Sequence, residues 1–192
     1  MIDPNHENVR LLGPLAALVG VWEGGTGVDE APKEPERDQL AVSKYRERLV
    51  LEPIGRVDNH EQVLYGLRYS TMAWRHGSDD SFHEEVGYWL WDAANKQVLR
   101  SFIVPRGVTV QAGGTVEPDA KTFSLSAVAG SGTYGICSNL FLEEEFKTVR
   151  YDLTVTVHDD GTFSYEEDTQ LQIKGQPDIF HHTDRNHLKR VG

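Results

Sequence analysis

Residues 148–161 read Thr148-Val149-Arg150-Tyr151-Asp152-Leu153-Thr154-Val155-Thr156-Val157-His158-Asp159-Asp160-Gly161, and the order of apolar and polar residues here decides the fold class. Val149, Tyr151, Leu153, Val155 and Val157 alternate with Arg150, Asp152, Thr154 and Thr156. A period of two is that of a strand with one buried and one wet face. Asp159-Asp160-Gly161 can supply the positive φ of a tight hairpin, so the next run, Thr162–Ile173, is expected to fold back antiparallel.

The same pattern extends in both directions. Runs rich in Val, Tyr, Phe, Trp and Thr occur at Val19–Gly27, Ala41–Glu52, Glu61–Arg75, Phe82–Trp91, Val98–Pro105, Val108–Glu117, Thr122–Ala129 and Ile179–Val191, making about ten strands with the two above. Pro118-Asp119-Ala120-Lys121 has type I turn chemistry. Residues 29–38, charged and proline-bearing, are expected to be a solvated loop, and Gly130-Ser131-Gly132 and Glu143-Glu144-Glu145 to bracket an irregular region around Cys137. Val9–Leu18 is the only stretch that reads as helix, and Gly13-Pro14 splits it into short turns.

Ten strands must stack as two sheets or close on themselves, and closure removes exposed edges. In Ala41–Glu52, Val42, Lys44, Arg46 and Arg48 oppose Tyr45, Glu47, Leu49 and Leu51, a mixed signal with polar residues on both faces. A sandwich core does not tolerate that, whereas a barrel with a partly polar, ligand-holding interior does. The expectation is one all-β domain over residues 1–192. It is an antiparallel up-and-down barrel of about ten strands, like fatty-acid-binding proteins and lipocalins but without a helical lid, and it carries a short N-terminal helical turn.

Composition limits what such a barrel does. Nineteen basic against thirty acidic residues leave a net charge of −11, which repels phosphate backbones and anionic membrane surfaces, so no nucleic-acid or membrane partner is expected. Met1–Glu7 lacks signal-peptide layout and no apolar run could span a bilayer, which points to the cytoplasm. The one cysteine, Cys137, has no disulfide partner and no neighbour that would activate it. There is no G-x-S-x-G, G-x-x-x-x-G-K, H-E-x-x-H or C-x-x-C, and the carboxylates of Tyr165-Glu166-Glu167-Asp168 alternate faces instead of forming an acid/base pair.

Gly20-Val21-Trp22-Glu23-Gly24-Gly25-Thr26-Gly27 resembles the opening signature of the nitrobindins, G-x-W-x-G-x-G, with Gly20, Trp22 and Gly24 matching and Thr26 in place of the third glycine. Glycines along one strand face permit close approach, and the tryptophan on that face makes an apolar plug or pocket wall. The resemblance continues through Phe82-His83-Glu84-Glu85-Val86-Gly87-Tyr88-Trp89 and Phe102–Gln111, spanning most of the chain with insertions near residues 28–39 and 131–147. It implies an internal pocket for b-type haem, ferric iron on one histidine, and reaction with nitric oxide or isomerisation of peroxynitrite to nitrate, which would make the chain a peroxynitrite isomerase. It also implies a possible homodimer.

The family's axial histidine lies in the last strand. Anchoring on Leu188-Lys189-Arg190-Val191 puts Thr183 at that position, a one-residue slip brings in His182, and matching the His-Leu pair selects His187. Strand parity sends His182 and His187 to opposite faces, so only one can reach a cavity; the alternative is that both are surface histidines among Asp184, Arg185 and Lys189. His181 shares a face with His187 but lies roughly 20 Å away along a strand, too far to share an ion. His83 is read as the catalytic pocket partner across the iron or, beside Glu84 and Glu85, as a solvated edge residue. Trp22, Phe82 and Val104 are expected cavity walls, with Gly20 and Gly24 giving access. The other reading is a haem-free barrel carrying a small hydrophobic molecule such as a fatty acid.

Overall fold

A computed structural model describes residues 8–192; Met1–Glu7, read above for signal layout, lies outside them. Twelve strands are formed: β1 (Gly20–Pro32), β2 (Leu40–Pro53), β3 (Val57–Asn59), β4 (Gln62–Arg75), β5 (Ser81–Asp92), β6 (Gln97–Val104), β7 (Val108–Thr115), β8 (Thr122–Val128), β9 (Ile136–Ser138), β10 (Phe146–Val157), β11 (Phe163–Ile173) and β12 (Phe180–Arg190). The ten long ones are those expected from alternation, with ends within a few residues of expectation except at β1. Antiparallel pairing runs β2-β1-β12-β11-β10-β8-β7-β6-β5-β4, and β2 pairs with β4 to close the ring. The protein is therefore a closed ten-stranded antiparallel barrel without a lid. No described helix is long and apolar enough to cross a membrane.

Two connectors behave as their chemistry dictates. At the β10–β11 hairpin Gly161 takes φ +81°, its N–H donates to His158 O (3.2 Å) and His158 N–H donates to Thr162 O (2.9 Å). Ala120 N–H donates to Glu117 O at 3.1 Å, closing the Pro118-Asp119 turn.

The structure corrects three local expectations. Asp29–Pro32, expected within a solvated loop, continue β1, because their backbone pairs with Ser43–Leu40 of β2 and Asp29 and Glu30 also pair with Asp184 and Thr183 of β12. The stretch around Cys137 is ordered as β9, which pairs with β7, followed by helix α1 (Leu140–Glu145). Val9–Leu18 is thus not the only helical stretch; it forms two 3-10 segments, Val9–Leu11 and Gly13–Leu18. α1 starts where Asn139 accepts a hydrogen bond from Leu142 N–H through its side chain, a cap directly before Leu140-Phe141-Leu142.

The core explains which end is closed. Leu12, between the 3-10 segments, and Leu15 and Leu18 of the second are buried in one cluster with Trp22, Leu51, Leu67, Trp89, Trp91, Val98, Phe123, Phe163 and Leu188. Trp22 is 1 % exposed, donates from Nε1 to Leu18 O (2.8 Å) and meets Phe163 edge-on at 4.8 Å. The 3-10 segments therefore plug one end, and the opposite strand ends surround an open cavity.

Candidate functional site

Inward positions of β1, β2, β4–β7 and β10–β12 line one cavity of about 1010 Å³, at the upper end of the usual size for a small-molecule pocket. Its contents form three levels. The floor is apolar, with Leu18, Leu49, Leu51, Trp89, Val155 and Phe163. Above it lies a polar belt of Glu47, Tyr69, Thr71, Glu85, Arg100, Tyr151, Tyr165 and Glu167. The mouth, made by the far strand ends and α1, carries Arg75, Phe82, His83, Val104, Arg106, Phe146 and His182.

Arg100 centres the belt. Its Nη2 lies 2.6 Å from Glu85 Oε2, its Nη1 contacts both Glu167 and the Tyr151 hydroxyl, and its Nε is 3.3 Å from the Tyr69 hydroxyl. The guanidinium also lies 4.5 Å from the Phe102 ring centroid and 5.2 Å from that of Trp89. Burying a cation is costly unless it is paired and hydrogen bonded, and Arg100 is both. Burial works against ionised Glu85, yet Arg100 and His83 outweigh it and hold the carboxyl down at about 2. Burial likewise opposes a charge on His83, but Glu85, helped by Glu167 and Asp184, raises its pKa to about 9.

A second cluster occupies the β2–β12 side. Glu47 accepts from Thr71 Oγ1 (2.8 Å), the Tyr165 hydroxyl (2.8 Å) and Asn186 Nδ2 (2.9 Å). Burial pushes its carboxyl up despite these donors. The Tyr45 hydroxyl meets Tyr165 at 2.8 Å and donates to Asp184, whose carboxyl burial and then Glu167 drive well upward.

The sequence-predicted residues fall into distinct places. His182 faces the cavity, with Nε2 2.7 Å from the buried Asp29 carboxylate. Thr183 faces outward and donates to Glu30 Oε2 at 3.0 Å. His187 also faces outward, where it stacks on His158 with centroids 5.1 Å apart, and His181 is bound to Asp168 at 2.8 Å. Asp184, placed in a surface charge network by one reading, instead turns inward to the cavity, whereas Arg185 and Lys189 are exposed. His83, Phe82 and Val104 line the cavity mouth together with His182. Trp22 lies in the closed-end core and does not line the cavity. Gly20 and Gly24 serve packing at that same strand: a Cβ on Gly24 would lie 2.5 Å from Asn186 Nδ2, and one on Gly20 2.9 Å from the Gly192 carbonyl.

Sequence reading missed Asp29 and the belt. Their signal was parity: Arg100 sits between Val98 and Phe102, and Glu47 between Tyr45 and Leu49, on the inward phase of their strands. What parity does not supply is the partner, since Glu85, Arg100 and Glu167 come from three different strands.

These residues fit an iron porphyrin. The donor set is two cavity-lining histidines, His182 beside Asp29 and His83 beside Glu85, each backed by a carboxylate, the usual second-shell support of an imidazole ligand. Phe82, Val104, Phe146 and Leu171 offer apolar wall at the mouth, and Arg75 and Arg106, which have no carboxylate partner among the described residues, line the same level.

No curated protein is significantly similar to the chain. The fold is similar to the crystal structure of Rv2717c from M. tuberculosis, with a TM-score of 0.62 and 20% identity over 100% of both chains, a likeness that speaks to the fold. The model of a family described as the THAP4-like, heme-binding beta-barrel domain matches residues 11–190, and the chain therefore belongs to that family, the nitrobindins.

Proposed function

We propose that the chain binds b-type haem in the open half of the cavity, with His182 as the axial ligand, and that in the cytoplasm it handles nitric oxide or isomerises peroxynitrite to nitrate. The observation that carries this reading is the pairing of His182 with Asp29: of the three ligand positions allowed by the last strand, only His182 lines the cavity, and a buried carboxylate orients its ring. With Nε2 bound to Asp29, the other ring nitrogen is left for iron. Arg75 and Arg106 would hold the anionic edge of the porphyrin, and Phe82, Val104 and Phe146 would exclude water from its faces. Bound iron would supply an open coordination position for a diatomic or for peroxynitrite. His83 would donate a hydrogen bond to a ligand held there. The exposed Met72, Val86, Tyr88 and Ile103 of neighbouring β4, β5 and β6 are the face through which we propose homodimerisation.

The haem-free alternative has the apolar floor in its favour. A fatty acid whose carboxylate reached the belt would meet Glu47, Glu85 and Glu167, where the buried cation, Arg100, already carries two carboxylates, so such a guest would have to keep its head at the mouth beside Arg75, Arg106 and His83.

Haemin titration of the purified protein tests the proposal. A saturable 1:1 Soret band that is lost or shifted in His182→Ala and retained in His187→Ala is the expected result. No saturable binding, or a band indifferent to His182, would refute it.

A further inference from the structure

We propose that Glu85, locked in place by Arg100, is a positioning residue that holds His83 as a cationic hydrogen-bond donor on the wall of the cavity's open half, so that the site prefers anionic ligands to neutral ones of similar size. The inference deepens the haem reading and rests on it for the choice of ligand, but the geometry stands on its own.

Both oxygens of Glu85 are engaged. Oε2 takes Arg100 Nη2 at 2.6 Å and the Tyr69 hydroxyl at 3.0 Å, and Oε1 lies 3.2 Å from His83 Nε2. A carboxylate surrounded by three donors is fixed in charge and direction. His83 thus has one ring nitrogen anchored, and its Nδ1 has no hydrogen-bond partner among the described residues while the ring lines the cavity. This is the arrangement in which a buried carboxylate orients an imidazole and stabilises its protonated form.

The surroundings of His83 set the sign of its charge. Glu84 and Glu85 flank it on β5; β4 contributes Tyr69 and Arg75, β6 Arg100, β11 Glu167 and β12 Asp184. Against burial, Glu85, then Glu167 and Asp184, raise the ring to about 9 from its ordinary 6.5, while Asp29, Glu34 and Glu84 also line the cavity and Asp29 is taken up by His182. Arg75 and Arg106 lie on the mouth side without carboxylate partners among the described residues. An anion entering the open half therefore meets Arg75, Arg106 and His83 before any carboxylate of the belt. Charge on a wall of low dielectric is read by the ligand far more strongly than it would be in water.

The test has two arms. In the haem-free protein, the His83 ring is followed by two-dimensional NMR across pH in the wild type, Glu85→Gln and Glu85→Asp. The wild-type ring should titrate near 9, Glu85→Gln should return it toward 6.5, and Glu85→Asp, which keeps the charge, should hold most of the elevation. In the haemin-loaded protein, azide and nitric oxide serve as anionic and neutral probes. His83→Gln should weaken azide about tenfold or more while leaving nitric oxide within about twofold, the worth of one hydrogen bond to a charged group. Glu85→Gln should shift the pH at which azide affinity falls by as much as it shifts the His83 titration. The proposal is overturned if His83 titrates near 6.5 in the wild type, if Glu85→Gln leaves the titration unmoved, or if azide and nitric oxide weaken equally. Should haemin not bind, the proposed function falls, while the NMR arm still decides the role of Glu85. Should Glu85→Gln fail to fold, the wild-type titration and the His83→Gln ligand ratio decide it.

Discussion

Arg100→Met removes the guanidinium at the centre of the belt and keeps an unbranched stem. The change leaves Glu167 without its cation, Glu85 with His83 alone, and Tyr69 and Tyr151 without one of their partners. Removing one member of a buried pair costs about 3–5 kcal/mol. Glu85, whose carboxyl Arg100 and His83 together hold down at about 2 against burial, gives the direction of that loss. A loss of about 3–5 kcal/mol is a large part of the roughly 5–15 kcal/mol that stabilises a domain. The pH dependence carries the sign. In the wild type, the depressed Glu85 contributes stability that is fully present above its unfolded value and is lost as pH falls through about 2. Without Arg100, burial is the largest influence left on Glu85, its carboxyl moves up, and the variant loses stability as pH rises through the new value. Urea unfolding at about pH 7.5 should therefore show a deficit of about 3–5 kcal/mol that narrows by about pH 5. A deficit under about 1 kcal/mol, or an equal one at both pH values, would refute the argument that Arg100 carries the buried charge of the belt.

Gly27→Ala should destabilise by about 1–3 kcal/mol through overpacking, since the new Cβ would lie 2.3 Å from Cζ of Tyr45, whose hydroxyl is pinned by Tyr165 and Asp184; Gly25→Ala, with nothing within 4 Å, is the control, and equal melting shifts for the two would sink the idea. Asn139→Ala should cost about 0.5–2 kcal/mol by removing the cap of α1 and the 2.8 Å bond from Asn139 Nδ2 to Arg106 O, read as faster amide exchange at Leu142; unchanged protection there would show that α1 is held by packing alone.

The barrel was legible because its strands carry their inside on alternate residues. Tyr151, Leu153 and Val155 show the alternation outright, although a bulge between Thr148 and Arg150 puts Thr148 inward in place of Val149, and Tyr45, Glu47, Leu49 and Leu51 show it with an acid on the inward phase, the mark of a cavity in place of a filled core. Where local chemistry competed with long-range pairing, it lost. Asp29–Pro32 read as loop on composition, yet pairing with β2 and β12 makes them strand and turns Asp29 inward. α1 was unreadable because six residues with three consecutive glutamates give no apolar period; its cap and the mouth of the barrel, where Leu142 is buried, hold it.

The order of residues along the chain determined the strands, their closure into a ring, the turn at Gly161, and the rule that His182 and His187 face opposite ways. Only the tertiary structure decided which of them faces inward. That choice depends on the register of β12 between β1 and β11, which sets His182 against Asp29 across the strand pair and turns Thr183 out to Glu30. The belt was decided the same way: Arg100 lies 15 residues from Glu85 and 67 from Glu167 in the chain, and the folded barrel brings their charges within hydrogen-bond reach in a medium where they cannot be left unpaired.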